Sequence, residues 1–188
     1  MKNKLLSLSL WCSAILWLMA SNCRKPETPI DPLPPATQEG ANTFGCYING
    51  EPWVAEIAWY ILDPSLRNID AAYDEPGVGL YDVYSFSLTT QKVDSFLHEY
   101  MILGMRPVYS AENFDLHQIS YSNIEFSLDN PRRIFKIDSS LVQTLKITTL
   151  DTERNICAGT FSFTLTTKDK SDTIRITDGR FDVRYQVW

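Results

Sequence analysis

The sequence predicts an all-β fold: a single antiparallel β-sandwich or partly closed barrel, carrying at most one short helix. Three observations point there. Val, Ile, Thr, Tyr and Phe dominate the periodic segments, apolar residues alternate with polar ones along several of them, and Asn-Gly or Asp-Gly separates others. Phe44–Ala55 reads as a hairpin turning at Asn49-Gly50, because a type I′ turn needs positive φ at both central positions. That turn sets Ile48 opposite Glu51 and Cys46 opposite Trp53. Near the end of the chain, Thr173–Thr177 and Arg180–Tyr185 flank Asp178-Gly179. A second two-residue turn there pairs Ile176 with Phe181, Ile174 with Val183 and Arg175 with Asp182. Apolar pairs on one face and an ion pair on the other suit a hairpin with one solvated side.

Between these ends, Tyr81–Thr89 alternates with Tyr84, Phe86 and Leu88 on one face, and Asn123–Leu128 with Ile124, Phe126 and Leu128. Leu141–Leu150 carries Leu145 and Ile147, and Thr160–Thr166 carries Phe161, Phe163 and Leu165. Val93, Phe96, Leu97, Tyr100 and Met101 follow helical spacing instead, which predicts a short helix running into a strand at Met101–Met105. Residues 63–79 and 107–120 read as long loops.

The N-terminus carries an address. Met1-Lys-Asn-Lys4 is positive, Leu5–Met19 is almost wholly apolar, and the small residues Ala20 and Ser21 precede Asn22 and Cys23. This is the order of a secretory signal peptide. A cysteine at the cleavage point resembles the lipobox of bacterial lipoproteins, which places a diacylated Cys23 at the start of the mature chain. That family prefers Leu three places before the cysteine and Gly or Ala just before it, where this chain has Ala20 and Asn22. A retained membrane helix needs about 20 apolar residues, more than Leu5–Ala20 supplies. The chain thus divides into a signal peptide (1–22), a lipidated cysteine with a proline-rich tether (23–43) and one β domain (44–188). Residues 24–43 hold five of the ten prolines and few large apolar residues, so they read as an extended spacer. Fully extended as polyproline, they would reach on the order of 60 Å.

Removing Lys2 and Lys4 from 17 basic residues leaves 15 against 23 acidic, a net charge of −8 for the mature chain. With no basic cluster longer than Arg132-Arg133, nucleic acid is not expected as a partner, and the membrane would be held through lipid rather than charge.

Asn42–Trp53, Gly159-Thr-Phe-Ser-Phe163 and Ile176–Asp182 together resemble the two ends of a family of uncharacterised Bacteroidetes-type lipoproteins, a domain of unknown function. The resemblance covers only the edges of the domain. It implies location and β architecture and supplies no site.

Cys46 and Cys157 share parity with core positions, in a compartment that permits disulfides, so they form a candidate pair; two buried free thiols are the alternative. His98 and His117 lie 19 residues apart without zinc-ligand spacing, and no GxSxG, SxxK or phosphate loop occurs. Asp70, Asp74, Glu75 and Asp82 gather near Gly77 and Gly79, but without the alternation of a calcium loop. No catalytic residue, metal ligand or cofactor is therefore expected. Aromatics remain: Trp59, Tyr60, Tyr73 and Tyr81, with Trp53 assigned to the core, form a candidate binding patch for a glycan or envelope protein.

The expected protein is a lipid-anchored, non-catalytic binding or assembly module of the cell envelope, on the periplasmic or outer side of the outer membrane. The alternatives are a small-ligand carrier using a barrel interior, or a glycan or lipid hydrolase using two carboxylates.

Overall fold

Alternating apolar residues build thirteen strands in the computed structural model, which describes residues 31–58, 67–77, 82–94, 96–114, 121–129, 132–138, 140–141 and 143–188. In chain order they are β1 (Thr43–Ile48), β2 (Glu51–Val54), β3 (Glu56–Ile57), β4 (Ile69–Asp74), β5 (Ser85–Val93), β6 (His98–Arg106) and β7 (Asn113–Phe114). There follow β8 (Tyr121–Asp129), β9 (Arg132–Ile137), β10 (Thr144–Asp151), β11 (Ile156–Thr166), β12 (Thr173–Arg184) and β13 (Gln186–Val187). All belong to one sheet, ordered β13-β4-β5-β6-β8-β9-β11-β12-β1-β2, with β3 on β5, β10 on β11 and β7 on β10. The pairings are antiparallel except for the short contacts of β13 with β4 and β3 with β5.

The sheet curls into a half-barrel. Its two ends approach closely enough for Trp53 on β2 to meet Phe126 on β8 edge-to-face at 6.1 Å, and for Phe86 on β5 to stack on Phe181 of β12 at 6.1 Å. The interior is filled by side chains in rows. Phe44, Phe86, Phe135, Phe163, Leu88, Met101 and Leu103 are all under 2 % exposed. Such packing leaves the described part of the core as a hydrophobic interior rather than a ligand cavity. On the rim, β2 is an edge strand whose outward-facing donors are reduced by Pro52, which discourages pairing with another chain.

The first hairpin is as expected. Asn49 and Gly50 take φ of 53° and 89°, and Ile48 faces Glu51 while Cys46 faces Trp53. The other candidate turn is not a turn. Thr173–Arg184 is one continuous strand, flanked by β11 on one side and β1 on the other. Asp178, at φ 51°, and Gly179 form a β-bulge, where the register slips against both neighbours. The bulge inserts one residue, so Ile174 and Ile176 before it and Phe181 and Val183 after it all face the core. Ile176 pairs with Phe163 and Ile48, Phe181 with Gly159 and Phe44, and Val183 with Cys157, in place of the pairings a hairpin would give. Gly179 is required by contact: a Cβ there would stand 2.3 Å from the Phe161 ring.

The expected helix at Val93–Met101 is also replaced by strand. β5 runs to Val93 and β6 begins at His98, which pairs directly with Val93. Asp94 closes the turn, its Oδ1 accepting the N–H groups of Phe96 and Leu97 at 2.8 Å. The helical spacing arose because the turn places Phe96 outside, 90 % exposed, rather than on a helix face. Residues 63–79, expected as loop, contain β4, and 107–120 contain β7.

Residues from Pro32 onward belong to the same compact unit as the strands. Residues 33–41 lie as a strap over the outer face of the sheet, with Leu33 only 5 % exposed. Asp182 fixes the strap. Its carboxylate accepts the Thr37 hydroxyl at 2.6 Å and the backbone N–H groups of Glu39, Gly40 and Ala41 at 2.9, 2.7 and 3.2 Å. The composition of 24–43 suggested a free spacer because nothing in it can fold alone; one buried acceptor on the domain organises its second half.

Candidate functional site

At one end of the half-barrel lie the Asn49-Gly50 turn, the end of β5 beside the start of β6, the end of β8 beside the start of β9, and the Thr167–Asp172 segment between β11 and β12. The inward-facing residues nearest that end form a row across four strands. Lys92 on β5 pairs with Glu99 on β6, Glu99 with Leu128 on β8, and Leu128 with Arg133 on β9. One step deeper, Thr90, Met101, Phe126 and Phe135 are paired in the same way. A charged mouth therefore sits directly on an aromatic floor, because every second residue of each strand faces inwards. Ile48, Glu51, Trp53, Asp172 and Ile174 close the opposite wall, and the cleft encloses about 400 Å³.

Glu99, Arg133, Asp172 and Lys92 are each engaged by a partner. The Trp53 indole Nε1–H donates to Glu99 Oε2 at 2.7 Å, joining β2 to β6 across the opening. Arg133 is ion-paired with Asp172 from the opposite wall, and its guanidinium lies 5.2 Å over the Phe135 ring. Lys92 leans outwards to Glu56 at 3.6 Å. Clefts of greater volume occur on the outside, one of about 630 Å³ around Lys136, Ile137, Thr166 and Lys168. There Lys136 and Lys170 are bound to Glu125 and Asp138 at 3.1 and 2.8 Å. The mouth differs in having walls from both ends of the sheet and a floor of buried aromatics.

Of the sequence-derived candidates, Cys23, Trp59, Tyr60, Tyr81 and His117 lie outside the described residues. Tyr73 does not belong to an exposed patch: it is 5 % exposed, its hydroxyl donates to Val108 O at 2.9 Å, and burial pushes its pKa up to about 12. It is the inner part of a tyrosine file at the far end of the half-barrel. Tyr185, Tyr73, Tyr84 and Tyr109 follow at centroid spacings of 5.4, 5.5 and 5.7 Å, and only Tyr109, at 60 %, is well exposed.

Cys46 and Cys157 are not bonded; both are buried free thiols. They share a core but not a neighbourhood. β12 stands between their strands, and Cys157 pairs with Val183 while Cys46 lies opposite the bulge between Thr177 and Arg180. Two strand spacings are already about 9.6 Å, beyond the roughly 7 Å that a disulfide spans. Burial pushes the Cys46 thiol up to about 12 and raises Cys157 further, so neither is a nucleophile at neutral pH.

His98 and Glu99, adjacent in sequence, face opposite sides. His98 Nδ1 lies 3.0 Å from Asp129 on the outer face and Nε2 lies 2.9 Å from Gln91 Oε1. Among the described residues no three His, Cys, Asp or Glu side chains are grouped to hold a metal ion.

The mouth residues escaped the sequence reading, although a signal was present. Lys92 is in step with Phe86, Leu88 and Thr90, Glu99 with Met101, Leu103 and Met105, and Arg133 with Phe135. A charge in phase with the core at a strand end marks the place where the core opens.

No family model matches the chain, and comparison with curated proteins and with solved structures gives no match either.

Proposed function

We propose that this chain is a lipid-anchored module of the cell envelope that binds its ligand, without transforming it, in the mouth cleft. The observation that carries the binding reading is the mouth row Lys92–Glu99–Leu128–Arg133, charged groups set directly on the aromatic row that holds Phe126 and Phe135. Pockets that bind small ligands combine such an apolar floor with a few fixed polar groups. A non-catalytic role is favoured because two of the three cleft carboxylates, Glu99 and Asp172, are each engaged by a partner, the Trp53 indole and the Arg133 guanidinium. A carrier role is disfavoured by the side chains that fill the interior.

Support for the anchor comes from the order of residues 1–23. Cys23→Ala should release the protein from the membrane fraction and abolish the mass increment of acylation. A variant that stays membrane-bound at unchanged mass would refute the anchor.

The binding reading is tested at the Trp53 indole N–H, an NMR probe on the cleft wall whose signal is assigned by its loss in Trp53→Phe. Soluble cell-wall peptide and glycan fragments, added to the mature domain, should shift that signal saturably. A signal unmoved while other residues shift would put the ligand elsewhere.

A further inference from the structure

With the cleft as the binding site, the reading on which this inference rests, the order of charges along the mouth restricts the ligand. The cleft aromatics offer no open ring face. Trp53 is 4 % exposed and packed edge-on by Phe44 and Phe126 at 5.8 and 6.1 Å. Phe135 is 1 % exposed and lies beneath the Arg133 guanidinium. A sugar recognised by stacking has no platform here.

Glu99 offers something different. Its Oε2 holds the indole N–H, while Oε1 has no hydrogen-bond partner among the described residues. An ammonium group, with three donors and no acceptor, suits that free oxygen. Lys92, the register neighbour that could neutralise it, leans instead towards Glu56.

Two strands along the same row stands Arg133, a backbone separation of about 9.6 Å from Glu99. Its ion pair with Asp172 uses Nη2, and a guanidinium carries five N–H donors in all. Between the two charges lies Leu128, half-buried and apolar, and Ile174 also lines the cleft.

A negative oxygen and a positive fork, separated by an apolar step, complement a short chain charged positively at one end and negatively at the other. Three extended residues span about 10 Å. We propose that the cleft binds a short peptide as its zwitterion, about three residues long, with the amino group on Glu99, the carboxylate on Arg133 and the middle residue against Leu128 and Ile174.

The test is isothermal titration of the mature domain with trialanine bearing free termini, beside its N-acetylated, C-amidated and doubly capped forms. Free trialanine should bind, and each single cap should weaken it about tenfold, as expected for loss of one charge-assisted hydrogen bond. In Glu99→Gln the N-acetyl cap should cease to matter, and in Arg133→Gln the amide cap should cease to matter. Glutamine at 99 still accepts the indole N–H, so the fold is retained; were either variant unfolded, the capped series on the wild type decides alone. Equal binding of free and doubly capped trialanine overturns the proposal. So does saturable binding of maltotriose without binding of trialanine, an outcome that leaves the cleft itself as the binding site. Absence of any trialanine isotherm overturns the peptide class, while the Trp53 indole signal judges the cleft separately.

Discussion

Trp53 and Glu99 are 46 residues apart in sequence and 2.7 Å apart in space, the indole N–H of one donating to the carboxylate of the other. The contact ties the first hairpin to β6 across the open side of the half-barrel and forms one wall of the mouth. Because the Trp53 side chain is almost wholly buried, losing that acceptor would strand its N–H.

Glu99→Ala should therefore cost about 1–3 kcal/mol, the usual penalty for stranding a buried donor, whereas Glu99→Gln, which retains an acceptor, should cost much less. Urea unfolding of both variants measures the difference. Equal losses would mean that the hydrogen bond contributes nothing.

The Phe161 ring occupies the space where any side chain on Gly179 would lie. Gly179→Ala should destabilise by about 3 kcal/mol, as overpacking in a rigid core does. Shortening the ring in Phe161→Leu/Gly179→Ala should return part of the loss. Additive losses in the double variant would show that the two positions do not compete for one space.

That bulge also shows where the sequence was ambiguous. Ile174 and Ile176 are even-numbered, Phe181, Val183 and Tyr185 odd, so the apolar parity switches near Asp178-Gly179. A two-residue hairpin and a one-residue bulge both produce such a switch, and local turn chemistry favours the hairpin. The choice is made by β1 and β11, which flank the segment on both sides, and nothing local encodes them. Asn49-Gly50 carried the same signal and did form a hairpin, since β2 has only one neighbour there. The all-β class was legible from alternation alone. The strap was not, because its ordering depends on Asp182, about 140 residues later. The mouth was half-legible: its charges sit in phase with the core, but which strands bring them together depends on the curl of the sheet.

Asp182 makes the strap pH-sensitive. Burial raises its pKa, but the Thr37 hydroxyl and the N–H groups of Glu39, Gly40 and Ala41 outweigh burial and hold it below the ordinary carboxylate value. A depressed folded-state pKa stabilises fully above the unfolded value, about 3.9, and that stability is lost as pH falls through the folded pKa. Asp182→Ala should remove about 3 kcal/mol at pH 7 and open residues 33–41 to proteolysis. Its deficit against wild type should shrink below pH 4. A deficit constant down to pH 2 would exclude the carboxylate as its source.

Cys46 and Cys157 should resist thiol reagents in the native domain and both react once it is unfolded without reductant. Mass spectrometry counts the adducts beyond Cys23. An unfolded domain that takes up none would reveal a disulfide.

The central claim is that the mouth, and not the tyrosine file at the far end, takes the ligand. Leu128→Trp fills the cleft between Glu99 and Arg133, while Tyr109→Ala strips the exposed end of the file. The decisive measurement is the affinity of each variant for free trialanine. Leu128→Trp should abolish detectable binding and Tyr109→Ala should leave it within twofold of wild type; binding that survives Leu128→Trp but is lost in Tyr109→Ala would contradict the account.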